Sequence, residues 1–167
     1  RDSLAHPAGR RLGLRQTTEV NVRGATVIDT VVFDMDGVLT RPRRDRRLEL
    51  LAAWSGRHPG EIDEAIFRSS FEEEAERGMW SPAAYLEEFG ARLGYAITET
   101  EWITARRAAT VPDHEVLELV RAVATSVRIG MFTNNPSIPG LHFAAVSPEA
   151  SPIFGSRAVF SADVGRR

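Results

Sequence analysis

The run Val31-Val32-Phe33-Asp34-Met35-Asp36-Gly37-Val38-Leu39-Thr40 constrains this chain more than any other part of it. Val27 to Phe33 is β-branched and apolar on both faces, as a buried parallel strand should be. That strand ends in two carboxylates spaced one apart and then a glycine, the residue that turns a chain sharply at least steric cost. Both acids therefore stand at a C-terminal strand tip, where open α/β sheets bind their ligands. Two acids placed there can hold a divalent cation, or one can attack while the other moves a proton. An Asp-x-Asp alone also fits a solvated turn after a strand, or the metal-holding pair of a sugar-nucleotide transferase.

The remaining pattern surrounds this strand with helices and two further strands. Residues 1–24 carry arginines, Pro7, Gly9 and Gly13 with few large apolar side chains, which predicts a mobile tail. After Thr40 the composition shifts to Arg41-Pro42-Arg43-Arg44-Asp45-Arg46-Arg47, and from there to Val111 the periodicity is helical. Leu48, Leu51, Ala52 and Trp54 form one apolar face closed by Gly56, and Pro59 opens a helix with Ile62, Ala65 and Ile66 inward. Ser81-Pro82 starts another helix that Gly94 ends, and Thr98 with Glu101 forms a capping box for the next. Pro112-Asp113 starts a helix with Val116, Leu117, Val120 and Val123 toward the core, feeding an apolar strand over Val127 to Phe132. That strand ends in Thr133-Asn134-Asn135-Pro136. The prolines that follow allow only short helices before a third strand at Ala158-Val159-Phe160-Ser161.

The expected architecture is thus an α/β, Rossmann-like parallel-sheet core of about three strands with an inserted helical cap. The core takes 25–40 and 112–167 and the cap 41–111. Parallel strands would bring the two carboxylates and Thr133 together at one sheet edge. Length allows one domain with such an insertion, and 43% apolar with 26% charged residues is ordinary for a globular protein. A net charge of −2 gives no reason to expect nucleic acid or an anionic membrane as partner, and no apolar run approaches a membrane span. A cytoplasmic location is the default. Cysteine is absent, which excludes thiol nucleophiles and thiolate metal sites. All 21 basic residues are arginine.

The 31–40 run, together with Thr133 after the later strand, resembles the signature of the haloacid dehalogenase-like (HAD) hydrolase superfamily, in its phosphatase-type form with a helical cap. The resemblance implies that Asp34 is the nucleophile, forming an aspartyl-phosphate, and that Asp36 is the general acid/base. It implies Mg²⁺ on Asp34 and Asp36, the latter through its backbone carbonyl. Gly37 would turn backbone N–H groups toward the phosphate, and the Thr133 hydroxyl with the Asn134 N–H would bind a phosphoryl oxygen. The implied substrate is a small phosphorylated metabolite. A second aspartate separates phosphatases from true dehalogenases, whose leaving group needs no proton.

The family also carries a lysine and a later acidic motif, and the lysine would be the residue after Arg167. The expectation is therefore an incomplete piece of a longer enzyme, weakly active or inactive by itself. The alternative is a non-catalytic HAD-like module that binds a partner or ligand without turnover.

Other charged groups have plainer readings. The arginines at 41, 43, 44, 46 and 47 read as a solvated hinge and helix start, with steering of anions as the second possibility. Glu72, Glu73, Glu74 and Glu76 read as an exposed helix face. His58, His114 and His142 have no partners at ligand spacing. Trp54, Trp80, Trp102, Phe67, Phe71, Tyr85 and Phe89 read as cap core, with one or two lining a substrate pocket.

Overall fold

The computed structural model describes residues 28–165, so the tail expected over 1–24 lies outside the described residues. Strand β1 (Thr30–Phe33) ends at the Asp34–Gly37 turn, and the chain enters a short strand β2 (Thr40–Pro42). Helices α1 (Arg44–Ser55), α2 (Pro59–Ile62), α3 (Ser70–Glu76), α4 (Pro82–Leu93) and α5 (Glu99–Ala109) follow. A π-helical turn at Asp63–Phe67 joins α2 to α3. Strand β3 (Thr110–Pro112) then leads to α6 (His114–Val123) and β4 (Arg128–Thr133). Short helices α7 (Ser137–Leu141), α8 (Phe143–Val146) and α9 (Ser151–Phe154) precede β5 (Ala158–Phe160) and α10 (Ser161–Val164).

The helix boundaries follow local chemistry. Ser81 caps α4 by accepting from the Ala84 N–H, and Pro82 occupies the first turn, where a missing N–H costs nothing. Thr98 and Glu101 satisfy each other's backbone N–H groups in a reciprocal capping box at α5. Gly56 and Gly94 end α1 and α4 in the left-handed region, at φ 71° and 69°.

Strands β1, β4 and β5 form a parallel sheet in the order β1-β4-β5, with Phe33 opposite Met131 and Thr133 opposite Phe160. The fold is therefore α/β, a parallel three-stranded core with a long helical insertion. One sheet face is packed: Phe33, Ile129, Met131 and Phe160 join Leu117 and Val120 of α6 and Phe154 of α9 in a single apolar cluster. The other face departs from expectation. Val32 is 61% exposed, although its strand read as buried on both sides, and Phe132 is 42% exposed. Both chain crossovers contribute to the same cluster, through α6 and through α8 and α9, and Val32, Phe132 and Val159 stay exposed on the opposite face.

A second difference lies at the border of the insertion. The helical reading ran to Val111, but β2 and β3 pair there as an antiparallel ribbon, with Thr40 opposite Pro112. Three residues a side are too few to show a period-two pattern. The ribbon is reinforced by Arg41 donating to Asp113 at 2.8 Å and by the Arg43 N–H donating to the Ala109 carbonyl at 2.8 Å.

The insertion has its own core, with Leu51, Ile62, Ile66, Phe71, Tyr85, Phe89, Leu93 and Trp102 buried together. Phe71 stacks on Tyr85 at 4.9 Å between ring centroids, and Trp102 meets Tyr85 edge-on at 5.9 Å. Ile138 of α7 and Val146 of α8 belong to this cluster, which seats the insertion on the sheet layer.

Candidate active site

The turn after β1 is held by one carbonyl. Met35 O accepts from the Leu39 N–H at 2.9 Å, the Thr40 N–H at 3.0 Å and the Thr40 hydroxyl at 3.2 Å. Gly37 supplies the positive φ (84°) that the reversal requires, and its N–H donates to Thr40 O at 2.8 Å. The result leaves Asp34 exposed at the strand tip and tucks Asp36 inward. The Asp34 carboxylate accepts from the Met35 N–H at 2.6 Å and takes no part in the Asp36 network.

That network joins the ends of two parallel strands. The Asn135 side-chain amide donates to Asp36 Oδ2 at 3.0 Å and to Thr133 Oγ1 at 3.0 Å. Thr40 donates to Asp36 Oδ1 at 3.3 Å. Arg106, from α5 of the insertion, donates through Nη2 to Asp36 Oδ2 at 2.6 Å and to Asn135 Oδ1 at 2.9 Å. Burial by itself pushes the Asp36 carboxyl up. The Arg106 charge and the hydrogen bonds from Asn135, Arg106 and Thr40 outweigh it and hold the carboxyl below its ordinary value.

The structure thus brings together Asp36 and Thr133 as the strand pattern predicts, through an intermediary the sequence reading did not single out. Asn135 is buried and fixed from behind, its N–H donating to Ser161 Oγ at 3.1 Å. Asn134 points into a cleft of about 280 Å³ that Asp36, Pro42, Arg44, Arg47, Phe67, Glu72, Glu76, Arg106, Ala109 and Asn135 also border.

Two readings of charged residues need correction. Glu72 and Glu76 were expected on an exposed face, but they border the cleft, one turn apart on α3, beside the buried Phe71 and Ala75. Glu72 accepts from the Tyr85 hydroxyl at 2.6 Å. Burial, then the charges of Glu72, Glu73 and Asp36, pushes the Glu76 carboxyl up. Arg47 was expected in a solvated hinge and is instead 4% exposed. His142, though without ligand spacing in sequence, lies 3.1 Å from Glu99 outside this cleft.

A signal for two of these was present. Arg106 falls on the inward stripe of α5 with Trp102, Ala105 and Ala109, and Arg47 lies one turn before the buried Leu51 on α1. A cation on an apolar stripe is aimed at something.

No group of three or more His, Asp or Glu side chains able to hold a metal occurs among the described residues. Mg²⁺ does not need one: it keeps several waters and binds through one or two carboxylates and substrate phosphates. The exposed Asp34 carboxylate, an oxygen donor at a strand tip, suits that partial coordination.

No protein-family model matches the chain, and no curated protein does. Solved structures do. A HAD-like family hydrolase from Porphyromonas gingivalis matches with a TM-score of 0.66 at 18% identity, over 84% of this chain and 69% of that one. A HAD family enzyme from Bacteroides thetaiotaomicron, as a magnesium complex, matches with a TM-score of 0.65 at 18% identity, over 84% and 71%. The same enzyme with magnesium and inorganic phosphate matches at 0.65 and 17% identity, over 84% and 72%. Across these matches the likeness is one of fold, and the chain has the fold of the haloacid dehalogenase-like hydrolases.

Proposed function

We propose that the chain is the core and cap, over 25–40 with 112–167 and over 41–111, of a Mg²⁺-dependent hydrolase of small phosphate esters. The observation that carries this reading is the Asn135 amide, 3.0 Å from both Asp36 and Thr133, which ties two strand tips into one polar site. The resemblance of the 31–40 run and a neighbour solved with magnesium and inorganic phosphate support it.

In this reading Asp34, exposed and free of the Arg106 contact, attacks phosphorus while the ester P–O bond breaks, and an aspartyl-phosphate forms. Asp36 delivers its proton to the departing alkoxide. It then takes a proton from the water that attacks phosphorus and releases Asp34. Arg106, with Asn135 and Thr40, outweighs burial and holds the Asp36 carboxyl below its ordinary value, which favours the carboxylate that takes the proton from water. Thr133 and the Asn134 N–H donate to a phosphoryl oxygen, and Gly37 keeps the turn open at the strand tip. Asp34 and the Asp36 carbonyl would hold Mg²⁺, which would supply charge neutralisation at the transferring group.

The expected result is Mg²⁺-dependent phosphate release from at least one ester in a broad panel, with Asp34→Asn lowering the rate by about 10³-fold or more. No hydrolysis across the panel, or full activity in Asp34→Asn, refutes the reading. The alternative is a non-catalytic HAD-like module that binds a partner or ligand without turnover. Mg²⁺-dependent trapping of beryllium fluoride on Asp34 decides between them, since a module without a working nucleophile retains none.

A further inference from the structure

Arg47 is a buried cation with no ion pair within salt-bridge distance among the described residues, the Glu72 charge acting on it from farther off. Its guanidinium carbon lies 4.8 Å from the Phe67 ring centroid, 5.1 Å from Trp102 and 5.4 Å from Phe89. Its Nε and Nη2 are buried and make no hydrogen bond. Rings attract a guanidinium through their faces but leave its in-plane N–H groups unsatisfied. A buried charge in that condition is costly unless something pairs with it. Arg47 borders the same cleft as Asp36, and so does Arg106, whose Nε is likewise buried and unbonded. The third arginine there, Arg44, is already directed at Asp63, 3.5 Å away. Two arginines that carry buried, unfilled donors therefore border one small cleft, next to Asp36.

We propose that Arg47 and Arg106 bind a carboxylate on the leaving group, so that the substrate is the phosphate ester of a small hydroxy acid. The inference rests on the phosphatase reading of Asp34 and Asp36 for the ester, while the anion site rests on Arg47 and Arg106 alone. A carboxylate fits better than a second phosphate. It is planar and matches the guanidinium fork. It also carries one charge, where Glu72 and Glu76 on the same cleft wall repel a dianion more strongly. The volume of about 280 Å³ suits a small acid.

The test uses lactate and glycerate as probes, with glycerol as the neutral control, and reads binding from tryptophan fluorescence, because Trp102 lies against the Arg47 guanidinium. Lactate or glycerate is expected to bind saturably and glycerol not. Arg47→Met, which keeps an apolar stem among the rings, should weaken binding about tenfold or more, and the exposed-surface variant Arg121→Gln should not. If Arg47→Met fails to fold, Arg47→Lys, which keeps the charge but not the fork, should show a smaller loss. With phosphate esters, kcat/KM should favour phosphoglycerate and phospholactate over glycerol phosphate, and Arg47→Met should collapse that ratio. Equal binding of glycerol, unchanged binding in both Arg47 variants, or preference for a bisphosphate overturns the proposal. Arginine-dependent binding of the acids with no ester hydrolysed supports the anion site and overturns the phosphatase reading.

Discussion

The helical insertion and the parallel sheet bury their apolar residues in different ways. The insertion closes a core on itself: Phe71, Tyr85, Phe89 and Trp102 pack ring against ring, and only Ile138 and Val146 come from outside it. The sheet packs one face and leaves the other open at Val32, Phe132 and Val159. A helical subdomain completes its core from residues near in sequence, so local signals suffice to assemble it. A parallel sheet depends on crossover helices for each face, and the two crossovers described here both pack on one side. The candidate site lies where these two regions meet, with Arg106 from the first region paired to Asp36 of the second.

The contrast can be broken most forcefully inside the insertion. Phe71→Ala removes a ring with no exposure and three aromatic neighbours, and should destabilise by about 3–5 kcal/mol, read as a fall in urea midpoint. A loss below ~1 kcal/mol would mean that the insertion is not packed as described.

A smaller effect should appear at the seam between the regions. The folded Asp36 carboxyl lies below its unfolded value, so its contribution is fully present above about pH 4 and is lost as pH falls through the lower folded value. Stability of the wild type should therefore decline below about pH 4 more steeply than that of Asp36→Asn. Parallel acid profiles for the two proteins would show that the Arg106 pairing does not tie cap to core in solution.

The smallest effect is expected on the open sheet face. Val32→Thr keeps β-branching on an exposed position and should change stability by no more than about 0.5 kcal/mol in chemical denaturation. A loss of several times that would show the face to be covered in solution.

Much of the insertion was legible in advance because helix ends are written locally. Ser81-Pro82, the Thr98–Glu101 box, Gly56 and Gly94 each act on backbone groups within a turn of themselves, and each performs as expected. The β2–β3 ribbon was not legible, since its two strands are short and far apart in sequence. Of the site, Asp34, Asp36, Gly37 and Thr133 were visible as strand-end residues. Asn135, Glu72, Glu76, Arg47 and Arg106 were not: Asn135 and Arg106 help hold the Asp36 carboxyl below its ordinary value, and all five border the cleft.

Local signals placed the starts of α4 and α5 and the ends of α1 and α4, the two carboxylates at a strand tip, and Thr133 at the end of the later strand. These follow from interactions a few residues long. Only the tertiary structure decided that Arg106 reaches Asp36, that Arg47 is buried among Phe67, Phe89 and Trp102, and that one face of the sheet stays open. A helix stripe tells which side chains point inward, but not whether they meet a packed core or the wall of a cleft, because a cleft exists only once two separate regions have docked.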